Sequence, residues 1–127
     1  MTREVINPAG HQRTMEAFHF SSAARAEGLL LCSGQIGVGS NGIPDSAEEE
    51  FRNAWTLIGA VLTEAGLGYE NIIEYTSYHV NMREHLQDFM KVRDEFLAEP
   101  WPAWTAIGCT ELAVPGARVE IKVVAHA

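Results

Sequence analysis

The chain has 127 residues, 46% of them hydrophobic and 20% charged, with nine Lys and Arg against seventeen Asp and Glu for a formal charge of −8. That length suits one domain, 1–127, around one core and excludes a two-domain enzyme, while the composition excludes a disordered chain. The few basic residues are scattered and leave no track for neutralising phosphates, so no nucleic-acid partner is expected.

The N-terminal residues lack the apolar core of a signal peptide, and the densest apolar stretch, Leu29-Leu30-Leu31-Cys32, is too short to cross a bilayer, so the expectation is a cytoplasmic protein with no membrane partner. Strand-like runs open the chain at Glu16–Phe20 and Leu29–Ile36. Gly37-Val38-Gly39-Ser40-Asn41-Gly42 then matches GxGxxG, but Ile43-Pro44-Asp45 separates it from the next helix, so a hairpin-like glycine loop is expected rather than a pyrophosphate cradle. Phe51, Ala54, Trp55, Ile58, Val61, Leu62 and Ala65 form one helical stripe over 47–65. Ser46 with Glu49 supplies a capping box at its start, and Gly66 a left-handed stop at its end.

A strand follows over Ile72–Val80, then a second helix marked by Leu86, Phe89, Met90, Phe96 and Leu97, with Asn81 and Glu84 as its cap pair and Pro100 and Pro102 as its limit. Arg93 falls inside that apolar stripe, where a guanidinium must snorkel outward or find an acidic or ligand partner. Strands over Trp104–Cys109 and Val119–Ala125 close the chain. The order β-β-α-β-α-β-β predicts an α+β fold with helices on one face of a sheet.

Five histidines, His11, His19, His79, His85 and His126, show no metal-binding spacing, there is no GxSxG elbow, and no metal or other cofactor is expected. Cys32 and Cys109 form no CxxC and read as small buried hydrophobes; Cys109, on the opposite face of its strand from Trp104, is assigned to the core. In the last strand Val119, Ile121 and Val123 share one face and Glu120 and Lys122 the other. Glu120 is then either a solvated strand residue or a carboxylate that holds and activates water. Trp104, Ala106 and Gly108 put one large ring beside two very small residues, which leaves a concave space or lets another backbone come close.

Leu30-Leu31-Cys32-Ser33-Gly34-Gln35-Ile36, the helix through Asn53 ending Glu64-Ala65-Gly66-Leu67, Ile72 to Val80, Pro102-Ala103, and Leu112 followed by Val119-Glu120-Ile121 together resemble the RidA (YjgF) family of imine and enamine deaminases. The resemblance implies a chorismate-mutase-like fold and a homotrimer with ligand clefts between neighbouring subunits. It assigns Glu120 to positioning the attacking water, Ser33 to the pocket, and Thr105 to a segment that supplies backbone donors. In the deaminase branch an arginine directly after Pro-Ala grips the substrate carboxylate, a task that suits a planar guanidinium. Trp104 stands there, so the chain resembles a divergent branch lacking that arginine. Phe20 aligns with an aromatic hydroxyl and Ala106 with a small cysteine, and Arg93 is the candidate for supplying the missing charge.

Two functions compete. In one, water held by Glu120 hydrolyses an imine or enamine of altered specificity, with Trp104 and Phe20 favouring a more apolar substrate. In the other, the same intersubunit cleft captures a small metabolite without turning it over. An RNA-cleaving activity, assigned to some relatives, fits badly with a charge of −8.

Overall fold

The computed structural model describes residues 2–127 as one mixed six-stranded sheet with its two longer helices packed on one face. In chain order the elements are β1 (Glu4–Ile6), α1 (Gln12–Phe18), β2 (Ala23–Ala26), β3 (Leu29–Cys32), α2 (Ala47–Glu64), β4 (Ile72–Val80), α3 (Leu86–Arg93), β5 (Ala103–Cys109) and β6 (Val119–His126). The strands lie in the order β1-β2-β3-β6-β4-β5; β4 and β5 are parallel through the α3 crossover, and the other pairs are antiparallel. This is the α+β class that the alternation of apolar runs predicts.

The stripe on α2 is buried as its spacing requires: Phe51, Ala54, Trp55 and Leu62 are fully inaccessible, packed on Val119, Ile121, Val123 and Leu30 of the central strands. The Ser46 hydroxyl accepts a hydrogen bond from the Glu49 N–H at 3.2 Å, so Ser46 caps the helix without the return bond of a full capping box, and Gly66 takes a φ of +79° past the last turn. The glycine-rich loop is a tight turn in which Gly39 and Gly42 exchange backbone hydrogen bonds of 2.8 and 3.2 Å. A Cβ on Gly37 would collide with the Glu50 carbonyl of α2, which is why that position stays bare.

Three expected elements change. The run Leu29–Ile36 is a strand only over Leu29–Cys32, and Gln35 rejoins the sheet as an isolated bridge to Ile121. Glu16–Phe20 is not a strand: its first residues end α1, His19 turns left-handed at φ 59°, and its N–H closes the helix on the Met15 carbonyl at 2.8 Å. No residue of α1 is buried, so packing imposes no periodicity on its sequence, and the paired Phe18 and Phe20 mimic strand alternation. The second helix is also shorter than its stripe suggests. Asn81 is left-handed at φ 56° and caps nothing, Met82–Glu84 form a 3₁₀ turn, and α3 stops at Arg93, whose carbonyl accepts from both Phe96 and Leu97 in an irregular final turn.

Glu50 is a charged residue on the buried side of α2. It is completely buried, and its carboxylate accepts hydrogen bonds from Arg118 Nη1 and Arg118 N, both at 2.7 Å, and from Val119 N at 3.3 Å. One carboxylate thus pins the start of β6 to α2 and fixes which β6 residues face the helices. Glu50→Ala strands those donors and should cost about 3 kcal/mol in urea unfolding; a loss below about 1 kcal/mol would contradict this role.

Candidate functional site on the open sheet face

Because Val119, Ile121 and Val123 are fully buried against α2, the pleat turns Glu120 and Lys122 to the face away from α2 and α3. Glu120 stands opposite Tyr78 in the β4–β6 register and passes over Gly34, where any Cβ would strike its carboxylate. It makes no hydrogen bond or ion pair among the described residues, and partial burial pushes its carboxyl above the usual carboxylate range. Tyr78, Cys109, Glu111, Leu112, Glu120 and Lys122 line a shallow concavity of about 340 Å³. A half-buried, unpartnered carboxyl in such a place can hold a water and accept its proton.

Cys109 corrects an expectation. It does lie opposite Trp104 on β5, but that side is the open face, where the thiol borders the Glu120 concavity instead of entering the core. The edge position of β5 explains the reversal: the apolar alternation of the strand carries its inward side to Trp104, not to Cys109. Cys32 is buried as expected, and desolvation pushes its thiol up to about 11.

Phe20 and Ser33 share a second concavity of about 400 Å³ with Val5, Ser21 and Leu31, on the same open face along β1 to β3. The Ser33 hydroxyl donates to the Ser21 carbonyl at 2.7 Å, and Phe20 meets His11 edge to face at 5.4 Å. Thr105 is exposed beside Thr76 on the open face.

Trp104 and Ala106 point the other way, toward the helices. The Trp104 ring stacks on Tyr75 at 5.9 Å and on Phe89 at 6.0 Å, and its indole N–H donates to the Ser77 hydroxyl at 2.8 Å. Arg93 comes to this wall as well. Its guanidinium lies 5.1 Å above the Trp104 ring and 5.5 Å from the Trp101 ring, with Nη1 on the Tyr75 hydroxyl at 3.2 Å and Nε on Asp94 at 3.0 Å. Arg93 and Trp104 are therefore neighbours, whereas Glu120 is across the sheet from both.

Behind Trp104 runs a buried polar chain that sequence spacing did not reveal. Ser77 Oγ lies 2.7 Å from His79 Nε2, and His79 Nδ1 lies 3.2 Å from His85 Nε2; Ser77 and His79 are fully buried. Two histidines six apart resemble no motif, and only the alternation of Tyr75, Ser77 and His79 toward the helices could have placed them inward. The indole only donates, so with Ser77 passing its proton onward, His79 carries its proton on Nδ1 and donates to His85. No group of three or more His, Cys, Asp or Glu that could hold a metal occurs among the described residues.

The family described as Endoribonuclease L-PSP matches residues 11–127. The chain belongs to the RidA/YjgF family. It is 38% identical over 126 residues to the RutC family protein YjgH of Escherichia coli, covering 98% of this chain and 95% of that protein. A solved structure of a protein YJGH superposes with a TM-score of 0.88 at 37% identity over 99% of this chain and 97% of that one. Bovine 2-iminobutanoate/2-iminopropanoate deaminase is 30% identical over 112 residues, 84% of this chain and 78% of its own. No helix among the described residues is long and apolar enough to cross a membrane.

Burial holds the His79 imidazole neutral, pushing it from its ordinary 6.5 down to about 4, with the His85 ring adding to the shift; His85 is lowered too, mainly by burial. The unfolded chain takes up protons below pH 6.5 that the folded chain refuses, so stability is lost as pH falls from 6.5 toward 4. Between pH 7 and 5 the wild type should lose roughly 1–2 kcal/mol more in urea unfolding than His79→Gln; equal slopes for the two proteins would contradict the buried neutral pair.

Proposed function

We propose that the protein is a hydrolytic deaminase of small imines or enamines, built as a homotrimer whose clefts join the open face of one protomer to the β5 edge of the next. The observation that carries this reading is the Glu120 carboxyl, half-buried, unpartnered and held over Gly34 beside an open concavity. Glu120 and Trp104 occupy opposite faces of one sheet, so a single protomer cannot place both around one ligand. A second copy can. The uncovered face also exposes Val5, Leu29, Leu31 and Ile107, an apolar surface that assembly would remove from water.

In this reading Glu120 takes a proton from water as the oxygen attacks the C=N carbon, giving a carbinolamine. Glu120 returns that proton to the nitrogen, then takes the carbinolamine's hydroxyl proton and delivers it to the amine as the C–N bond breaks and the C=O forms, so ammonia leaves and the carboxylate is regenerated. Ser33 and Phe20 line the pocket on the Glu120 side; Thr105 borders it along the edge strand. Trp104 and Ala106 of the adjacent protomer form the opposite wall. Arg93, committed to two indoles, a phenol and Asp94, holds that wall rigid. The names of the deaminase relatives and the match over residues 11–127 support the chemistry.

A chain of charge −8 whose concavity sets Glu111 and Glu120 against Lys122 is poorly suited to a phosphate backbone, which argues against an RNA substrate. The alternative of a metabolite-binding trimer without turnover draws on Trp104, because an indole whose N–H is already given to Ser77 cannot grip a carboxylate as an arginine would.

Light scattering after gel filtration should give three times the chain mass. With 2-iminopropanoate generated by an amino-acid oxidase, the wild type should accelerate loss of the imine and Glu120→Gln should lower kcat/KM by about 100-fold or more. Binding with no acceleration would favour the capture alternative, and equal rates for wild type and variant would remove Glu120 from the mechanism.

A further inference from the structure

An imine that carries a carboxylate needs a cation near the attacked carbon, and Arg93 is badly placed to be that cation. It lies across the sheet from Glu120, and its planar head is already taken up by Trp101, Trp104, Tyr75 and Asp94. Lys122 has the opposite circumstances. It sits on the open face, lines the same concavity as Glu120, and forms no ion pair among the described residues even though Glu111 and Glu120 border that space. Lys122 is half-buried on that face.

We infer that Lys122 is the anion anchor of the Glu120 concavity and grips the carboxylate of a small 2-imino acid. The inference rests on the deaminase reading for its substrate, and on geometry for its residue. Glu120 and Lys122 are alternate residues of one strand, so their side chains rise from the same face about 7 Å apart. In a 2-imino acid the carboxylate is one bond from the C=N carbon. A water on Glu120 and an ammonium one pleat further along therefore reach both ends of that unit together. Lys122 also offsets the repulsion that two carboxylates, one on the protein and one on the ligand, would otherwise feel. Glu111 is exposed at the rim, where water screens it. A flexible lysine takes the place of the bidentate arginine, which sacrifices some orientation but keeps the charge.

Two substrates and one stable analogue separate the possibilities. Lys122→Gln should raise KM for 2-iminopropanoate at least about tenfold with kcat much less affected, leave the KM for a neutral imine made by an amine oxidase unchanged, and be rescued by Lys122→Arg. The analogue 2-oxobutanoate, followed by calorimetry, should bind the wild type and Lys122→Arg and bind Lys122→Gln at least about tenfold more weakly. Circular dichroism would check that each variant folds. Equal KM and equal binding for wild type and Lys122→Gln would overturn the anchor, as would failure of the wild type to bind 2-oxobutanoate. Lys122-dependent binding without any turnover would keep the anchor and sink the deaminase reading instead.

Discussion

The buried Glu50 carboxylate is the contact on which the geometry of this molecule turns. It gathers Arg118 and the first N–H groups of β6 onto α2, and so sets the phase of the strand that follows. Once Val119 faces the helices, alternation sends Ile121 and Val123 inward and leaves Glu120 and Lys122 on the uncovered face. A slip of one residue would bury two charges and expose three β-branched side chains. The fold's stability and the exposure of its candidate base are therefore one constraint.

That phase has a consequence for β5. The edge strand pairs in parallel with β4, and the register that puts Tyr75, Ser77 and His79 toward the helices brings Trp104, Ala106 and Gly108 to the same side. Trp104 is thereby drawn into an aromatic stack with Tyr75 and Phe89, and its only polar atom is spent on Ser77. The position that resembles the arginine site of the deaminases packs half-buried against the core, tied through Ser77 to the His79–His85 pair. In the proposed site the cation on the open face is Lys122, while Arg93 stacks on Trp101 and Trp104.

Much of this was legible in the sequence because burial writes periodicity into it. The α2 stripe, its Ser46 start and Gly66 stop, the inward run of Val119, Ile121 and Val123, and the outward Glu120 all follow from spacing alone. The elements that escaped are those that packing barely touches: α1 buries nothing, β1 is a three-residue edge strand with only Ile6 inside, and β2 buries only Ala23. The site was harder, for a different reason. Period-2 reasoning says which residues share a face but not which face meets the helices, so Cys109 went to the core and the Glu120 concavity lost its thiol. The His79–Ser77–Trp104 chain joins residues 77 and 104, a contact that only the β4–β5 register creates.

The central claim is that two opposite sheet faces of neighbouring copies close around one carboxylate. A crystal structure of the assembled protein tests it directly. The account predicts that the Glu120 carboxyl of each protomer borders a gap walled by the Trp104–Ala106 edge of the next, with water or ligand held between them. Glu120 open to bulk solvent, or a β5 edge remote from every neighbouring Glu120, would contradict it.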